Sequence, residues 1–412
     1  MSERVTNWAG NVVFGALRLH HPASIDEVRD IVAAGGPLRV LGSGHSFNRM
    51  ADTTGDLVSL AGLPRVVEVS ADRKSVRIDG GIRYGDLAVR LQEEGLAVHN
   101  MASLPHISVA GAVATATHGS GVRNANLATG VSGLELIDGA GNLVVLDRDN
   151  ADLPGAVVGL GALGVVTALT LDVVPSFELR QYVYDDVPRA SIESSLPEML
   201  ADGYSVSLFT DWTGLDANMA WLKRSSPMSG PWFGARPADG PRHPVPGMPA
   251  QNSTDQSGSL GPWHTRLPHF RMEFTPSAGA ELQSEYHVAA TDALAAIDAV
   301  ASIRSEVAAV LQVCEIRAIA ADSLWLSPNY ERDSVALHFT WIADTEAVLP
   351  VVSEVERVLA PLNPRPHWGK VFTTAPPDVR SAFPRFTDFA ELVRRYDPAG
   401  TFRNEWLSSI LG

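Results

Sequence analysis

The chain of 412 residues is 45% hydrophobic, which is enough for two domains that each have a core. Its formal net charge of −15 at pH 7 argues against nucleic acid or an anionic membrane surface as a partner. A single cysteine, Cys314, excludes an internal disulfide framework and favours a reducing compartment. The first residues lack a basic stretch followed by an apolar core, so we expect no signal peptide and a cytoplasmic protein.

The first predicted elements are a helix, a strand and a glycine-rich turn. Ser24 and Glu27 form a capping box at the start of a helix that Gly35 ends. The strand PLRVL then leads directly into the stretch GSGHS at residues 42–46. Glycines and serines after a strand form a nest of backbone amides and hydroxyls that suits an anion. His45 is a poor phosphate ligand, because an ordinary histidine is largely uncharged at neutral pH, so it needs another role.

Clustered small residues distinguish the next part of the chain. Short strands are predicted at 56–60, 66–69 and 75–78, and a helix over 84–94. Residues 103–121 (SLPHISVAGAVATATHGSG) are rich in small side chains, which let a flat ligand or another backbone approach closely. Several of them are too apolar for a loose surface loop, which is the alternative interpretation.

Residues 153–171 are uncharged and long enough to span a bilayer, but they also contain the dinucleotide-binding pattern GLGALG. A proline and four glycines in this segment favour a buried loop and strand over a membrane helix. The residues after GLGALG alternate as a strand does, whereas a nicotinamide site requires a helix there. We therefore predict neither a membrane span nor a nicotinamide site.

Past Pro175 the predicted elements become longer. They are the strands YSVSLFTDW, MAWLKR, VCEIRAI and VALHFTWI, a helix over 290–310 and a helical tail. The irregular residues 225–262 are predicted to be pinned by Trp232, Phe233 and Trp263.

Two of these strands place polar side chains on one face. Glu315 and Arg317 share a face of VCEIRAI, and His338 and Thr340 share a face of VALHFTWI. A solvent-facing sheet surface produces the same alternation, so the pattern by itself leaves a buried polar site and an exposed face open.

Four stretches taken in order, LGSGHSF, SLPHISVAGAVATATHGSG, GLGALGVVT and HWGK, resemble the vanillyl-alcohol oxidase family of flavoproteins. The resemblance covers essentially the whole chain and is strongest to members that oxidise alditols such as xylitol and sorbitol. It implies an α+β fold with a two-lobed FAD-binding domain and an inserted antiparallel-sheet substrate domain. The implied limits are residues 1–175 for the FAD domain, 176–364 for the substrate domain and 365–412 for a segment returning to the FAD domain.

The resemblance also implies FAD joined covalently through His45 to the 8α-methyl carbon of the flavin. The alternative for His45 is a histidine that only hydrogen-bonds a loop, and for His118 a buried histidine with satisfied hydrogen bonds. The other implied cofactor-binding positions are Leu41, Gly42, Ser43, Gly44, Ser46, Ser103, Ser108, Gly111, Thr115, Ala116, Thr117, His118, Val166 and His367.

For the substrate, the resemblance implies a polar set in which Glu315, Arg317 and Lys370 are catalytic. The implied substrate-binding residues are Ser103, Glu315, Arg317, His338, Thr340 and Lys370. These residue types suit a neutral, strongly hydrated polyol, because binding it requires several hydrogen bonds with water to be replaced at once.

The implied reaction is hydride transfer from the terminal CH–OH carbon of an acyclic polyol to flavin N5. Oxygen then reoxidises the flavin and yields hydrogen peroxide. The resemblance also matches Ala102 to a position near the flavin that can gate oxygen access in relatives, although helix or loop packing would equally explain an alanine there. Whether Arg317, Lys370 or neither accepts the hydroxyl proton stays open, since a guanidinium is a poor base.

Two other functions compete with this interpretation. A sugar-lactone oxidase or dehydrogenase would use the same cofactor and tether on a cyclic substrate, and a non-catalytic flavin- or sugar-binding protein would need no catalytic residues. The only adjacent histidines are His20 and His21, more typical of a surface pair than of a metal site, so we predict no metal. The expected partners are a polyol and O₂, with the protein a monomer.

Overall fold

The computed structural model describes residues 5–273 and 280–412, in which three main β-sheets are surrounded by helices. The first sheet is parallel and has three strands, with the third in the middle. Its elements are β1 (Arg18–His20), α1 (Ile25–Ala33), β2 (Leu38–Val40) and β3 (Asp56–Val58). The hydroxyl of Ser24 accepts from the Glu27 amide at the start of α1, which confirms the predicted cap.

The second sheet has five antiparallel strands and follows in the chain. Its part of the chain contains β4 (Val67–Val69), β5 (Ser75–Asp79), α2 (Tyr84–Glu93), β6 (Leu96–Ala97), α3 (Val109–Ala114), β7 (Val131–Ile137), β8 (Leu143–Asp147), α4 (Leu153–Ala156), β9 (Val165–Asp172) and β10 (Val174–Pro175). The strand order is β4–β5–β9–β7–β8, while β6 and β10 form a separate pair.

A strand, β9, follows the GLGALG segment, which confirms the prediction against a nicotinamide-type helix. Gly164 lies at φ +155°, and a Cβ there would overlap the carbonyl oxygen of Ile137 on the neighbouring strand β7. The glycine therefore permits close packing between strands. Within the described ranges, no helix combines the length and the apolarity needed to cross a bilayer.

The third sheet is large, antiparallel and covered by helices on one face. Its part of the chain contains β11 (Glu178–Val187), α5 (Arg189–Ala201), β12 (Ser205–Thr210), β13 (Ala217–Arg224), β14 (Arg236–Pro237), β15 (Gly261–Pro262), β16 (Glu281–Ala289), α6 (Ala293–Ala301), α7 (Arg304–Ala308), β17 (Leu311–Ile319), β18 (Ser334–Ile342), α8 (Thr345–Leu359) and β19 (Arg365–Pro366). The order is β14–β11–β13–β12–β17–β18–β16–β19, with β15 beside β11. The four helices α5 to α8 bury the apolar face of this sheet in one core.

The predicted single helix over residues 290–310 is wrong in one respect, because the structure divides it. Helix α6 ends at Ala301 and α7 begins at Arg304. Between them Ile303 has non-helical angles (φ −116°, ψ 21°) and is buried in the core under the sheet. The burial of this side chain turns the chain where the sequence pattern alone would continue the helix.

The long irregular segment is anchored by aromatic side chains, as predicted. Trp232 and Trp263 are 2% and 0% exposed, and Phe233 packs edge-on against Trp232. Trp232 also donates from Nε1 to Asp202 at 2.8 Å.

The chain ends in three helices, α9 (Pro376–Ala382), α10 (Phe386–Tyr396) and α11 (Glu405–Leu411), and the last two confirm the predicted helical tail. Their buried side chains share a core with the five-stranded sheet. The exact limits of the three predicted chain sections stay a prediction.

One buried arginine joins the loops that surround the GSGHS turn. Arg39 on β2 donates from Nε to the carbonyl of Met50 at 2.9 Å and from Nη2 to that of Leu160 at 2.8 Å. Its Nη1 donates to the carbonyls of Gly161 and Phe402 at 2.9 and 2.8 Å. The segment after the turn, the GLGALG loop and the C-terminal tail are thereby held to one side chain.

Candidate active site

A cleft lies between the small-residue loops of the N-terminal sheets and the helix-free face of the large sheet. All six predicted substrate residues line it, and so does Ala102. The predicted cofactor positions that line it are Leu41, Gly42, Ser43, Gly44, His45, Ser46, Ser103, Ser108, Gly111, Thr115, Thr117, His118, Val166 and His367. The folded chain thus gathers residues that are more than 300 positions apart in the sequence into one site.

Ala116 is placed differently from the prediction. It is fully buried in the core behind the cleft wall and does not line the cleft. It follows α3 with φ +53°, in a tight turn that directs its methyl group inward. The neighbouring Thr115 and Thr117 take the cleft-facing positions and lie 3.2 Å apart through their hydroxyls.

His45 sits on the cleft wall with an unused ring nitrogen. Its Nε2 is buried and has no hydrogen-bond partner among the described residues, while the ring packs 4.3 Å from that of Trp8. Burial, with a smaller contribution from the Lys370 charge, lowers the pKa of His45 to about 3. The imidazole is therefore neutral, and its free nitrogen is available as a nucleophile.

The turn that carries His45 leaves room and donors for an anionic group. A Cβ at Gly42 would overlap the Oγ of Ser108, which itself is buried without a hydrogen-bond partner in the described chain. The Ser108 amide lies 3.3 Å from the Oγ of Ser43. A glycine that allows close approach and a hydroxyl without a hydrogen-bond partner are typical of a nest that holds a pyrophosphate such as that of FAD.

On the opposite wall, three ionisable residues stand in register across adjacent strands. Glu315 on β17 pairs with His338 on β18, which pairs with Glu285 on β16. Arg317 and Thr340 lie two residues along the same faces, and the four predicted strand residues are between 5 and 9% exposed. The alternation seen in the sequence therefore belongs to a buried polar wall, and the solvent-facing alternative is wrong.

Glu285 is the electrostatic centre of this wall, and the sequence analysis missed it. Its Oε1 accepts from Arg317 Nη2 at 2.8 Å and lies 2.9 Å from His118 Nε2, while its Oε2 lies 3.1 Å from His338 Nδ1. Burial acts to raise the pKa of Glu285, but the charges of His118, Arg317 and His338 outweigh it and hold the pKa well below its usual range. The carboxylate is thus ionised and orients three neighbours.

A signal for Glu285 was present in the sequence. In ELQSEYHVA the polar Glu281, Gln283, Glu285 and His287 alternate with less polar residues, the same pattern that identified the strand of Glu315. His269, which also lines the cleft, lies on an irregular loop and shows no such pattern.

Lys370 completes the wall from the HWGK segment. Its Nζ donates to the Oε1 of Gln283 and lies 5.4 Å from the centre of the Phe47 ring. Burial lowers the pKa of Lys370 to about 8, although the charge of Glu285 opposes this shift. The amine therefore changes its protonation state close to neutral pH, as a group that exchanges protons in catalysis should.

His118 lies on the cleft with both ring nitrogens engaged. Its Nδ1 is 2.8 Å from the carbonyl oxygen of Gly119, and its Nε2 faces Glu285. It is consequently a buried histidine with satisfied hydrogen bonds that also lines the cleft, and its direct contact with the cofactor stays a prediction.

The fold also brings together a group that the spacing did not predict. His118, Glu285 and His287 place potential metal-ligating atoms within 4.8 Å of one another. The Arg317 guanidinium already donates to Glu285 Oε1, the oxygen that also faces His118, and its positive charge balances that of the carboxylate. We therefore describe the group as part of an ion-pair network.

Comparison with known proteins agrees with this arrangement. Residues 16–147 match the FAD binding domain family, and residues 281–410 match the D-arabinono-1,4-lactone oxidase family. The chain is 52% identical to an alditol oxidase of Streptomyces sp. over 100% of both chains. It is 28% identical to an L-gulono-1,4-lactone dehydrogenase of Mycobacterium tuberculosis, again over 100% of both chains.

The fold itself is similar to that of a solved cholesterol oxidase from B. sterolicum. The TM-score is 0.80 at 15% sequence identity, over 99% of this chain and 96% of that chain. The full-length identity to a curated relative, the FAD-binding match and the shared architecture lead to one conclusion. The chain belongs to the vanillyl-alcohol oxidase family of flavoproteins and binds FAD.

Proposed function

We propose that the protein is an FAD-dependent alditol oxidase, which oxidises the terminal CH–OH of an acyclic polyol to the aldose and reduces O₂ to H₂O₂. The observation that carries this proposal is the buried polar wall opposite the cofactor loops. An acyclic polyol presents a row of neutral hydroxyls, and the wall presents a row of fixed donors and acceptors within one sheet. The full-length similarity to an alditol oxidase supports the same substrate class.

The wall offers each hydroxyl a complementary partner. Glu315 accepts hydrogen bonds, Arg317 and Lys370 donate them, and Ser103 with Thr340 can do either. His338 is held by Glu285 on one side, and its Nε2 lies 3.3 Å from the hydroxyl of Thr340 on the other. Because the four strand residues of this set are buried, an analogue that lacks a hydroxyl would leave one of them unpaired and would bind poorly.

Bound FAD would supply the acceptor for the hydride of the alcohol carbon and the route by which the electrons reach O₂. The chain's own residues accept the hydroxyl proton and stabilise the negative charge that develops on the alcohol oxygen. Arg317 is buried and stays protonated, because Glu315 and Glu285 raise its pKa against the effect of burial. It is therefore suited to stabilise alkoxide character, whereas Lys370 is suited to take the proton.

The cofactor is proposed to be tethered through His45. Support comes from the neutral, buried imidazole of a residue that lines the cleft and whose Nε2 has no hydrogen-bond partner in the described chain. Ala102 is proposed to leave a path for O₂, since its methyl group lies on the cleft wall beside Ser103. A cytoplasmic location and a monomeric state stay predictions.

A panel of substrates tests the function. Anaerobic mixing of the enzyme with xylitol, sorbitol and an aldonolactone, followed by admission of air, measures flavin bleaching and peroxide release separately. We expect the two alditols to bleach the flavin faster than the lactone, and air to restore its colour with release of peroxide.

The same panel separates the alternatives. Faster bleaching by the lactone would favour a sugar-lactone oxidase or dehydrogenase, which the match of residues 281–410 to a lactone oxidase family supports. Slow recovery in air would indicate a dehydrogenase. No bleaching by any compound would indicate a non-catalytic binding protein.

The pKa of Lys370 predicts how the rate of flavin reduction depends on pH. The charged groups that act on it are Glu281 and Glu285 from β16 and Glu315 and Arg317 from β17. With its pKa at about 8, the amine is protonated below this pH and neutral above it. We expect the anaerobic reduction rate to rise as pH increases through about 8, because only the neutral amine accepts a proton.

The matching variant is Lys370→Met, which keeps the apolar stem and removes the amine. Its reduction rate should be lower and should lose the rise near pH 8, while its FAD content stays that of the wild type. A wild-type rate that falls above this pH would mean that the ammonium is the active form.

A further inference from the structure

We propose that Lys223 and His269 are positioning residues for Glu315, and that they act through residues 267–270, here called the strap. Two residues of the strap, His269 and Phe270, line the cleft, and nothing in the reaction proposed above uses them. The inference rests on the proposed function, because it assigns Glu315 to an alditol hydroxyl.

A continuous hydrogen-bonded chain leads from the cleft into the protein. Glu315 Oε1 lies 2.8 Å from His269 Nε2, and His269 Nδ1 lies 3.0 Å from Lys223 Nζ. All three side chains are buried, with Lys223 only 1% exposed. Lys223 lies on β13 and Glu315 on β17, with β12 between them, so the imidazole bridges two strands that do not touch.

The order of these groups determines the tautomer of His269. Burial lowers the pKa of His269 to about 4, so the ring carries one proton. Glu315 stays an ionised acceptor, because Arg317 and His269 lower its pKa despite burial, which acts to raise it. The proton therefore lies on Nε2 and is donated to Glu315, while Nδ1 accepts from the Lys223 amine.

All three N–H groups of the Lys223 ammonium donate hydrogen bonds to the strap. Its Nζ donates to the carbonyl oxygens of Leu267 and Pro268 as well as to His269 Nδ1. An ammonium has three N–H bonds, so these three acceptors satisfy it. Burying an amine is costly, and burial lowers the pKa of Lys223 to about 7.

The strap is fastened to the opposite wall as well. The amides of His269 and Phe270 both donate to the carbonyl oxygen of Ser103, at 3.0 and 3.2 Å. One short segment therefore sets the position of Ser103 on the cofactor side and of Glu315 on the sheet side. Since both residues are proposed to bind hydroxyls, the strap fixes the separation of two subsites and with it the preferred position of the alditol chain.

A double-mutant cycle tests whether Lys223 acts through Glu315. The apparent Kd of xylitol and the limiting rate of anaerobic flavin reduction are measured for wild type, Lys223→Met, Glu315→Gln and the double variant. We expect Lys223→Met to raise the Kd about tenfold, the effect of one charge-assisted hydrogen bond, with unchanged FAD content. In the Glu315→Gln background the same substitution should have almost no further effect on the Kd.

Gln181→Leu is the matched control. Gln181 is fully buried, pairs with Lys223 in register across β11 and β13, and holds the nearby Thr254 through its Nε2 at 3.1 Å. It has no hydrogen bond to His269 or to Glu315 in the described chain, but the Thr254 hydroxyl donates to the carbonyl oxygen of Pro268 in the strap at 2.8 Å. Gln181→Leu therefore shows the effect of disturbing the strap indirectly, and it should raise the Kd much less than Lys223→Met does.

Variants of His269 provide an independent test of the inference if Lys223→Met fails to fold. His269→Gln retains an amide donor near the Nε2 position and should keep much of the wild-type affinity for xylitol, whereas His269→Leu should lose about as much as Lys223→Met. Additive effects of the Lys223 and Glu315 substitutions, or equal losses for His269→Gln and His269→Leu, would overturn the inference. If no alditol reduced the flavin of the wild-type protein, that result would instead refute the proposed function.

Discussion

The variant His45→Ala should release all of its flavin into the supernatant on acid precipitation, whereas the wild-type pellet should stay yellow. A covalent bond survives denaturation, but the contacts of a folded cleft do not. The expected effect is therefore all or none, and the absorbance of the supernatant and of the washed pellet measures it directly.

This expectation rests on two properties of His45, which are its neutral imidazole and a ring nitrogen without a hydrogen-bond partner in the described chain. Its Nε2 lacks a partner in the described chain, and its low pKa leaves the lone pair free to form the bond to the flavin. His106→Ala is the control, because His106 acts electrostatically on His45 but does not line the cleft. Its flavin should stay in the pellet. Free flavin from the wild type would show that the tether is absent.

The second large effect is expected for Arg317→Met, which should slow anaerobic flavin reduction by alditols about 10²- to 10³-fold. Arg317 donates to Glu285, and its Nε is buried 3.6 Å from Glu315 Oε2 without a hydrogen-bond partner in the described chain. The guanidinium lines the cleft, so its positive charge acts on the alcohol oxygen of a bound substrate. Its loss removes charge stabilisation where negative charge develops during the reaction.

Arg365→Met controls for the removal of a buried arginine from the same sheet. Arg365 on β19 is 8% exposed and donates to the carbonyls of Ala382, Pro328 and Tyr330, away from the cleft. It should lower the melting temperature while leaving the reduction rate close to that of the wild type. If Arg317→Met lost FAD in proportion to its rate, Arg317 would have a structural role.

The features that the sequence predicted correctly are those controlled by neighbouring residues. The cap at Ser24, the strand β9 after GLGALG and the shared face of Glu315 and Arg317 follow from helix capping and from the two-residue period of a strand. The break at Ile303 could not be predicted in this way, since it depends on burial against a sheet whose strands lie elsewhere in the chain.

By itself, the sequence determined which residue types alternate on each strand, where the glycine-rich turns lie and to which flavoprotein family they belong. Only the tertiary structure decided that the polar faces of β16, β17 and β18 meet inside a cleft. It also placed Glu285 between Arg317, His118 and His338, and joined Lys223 to Glu315 through His269. The physical reason is range, because side-chain period and capping act over a few residues, whereas burial and charge pairing depend on contacts between distant segments.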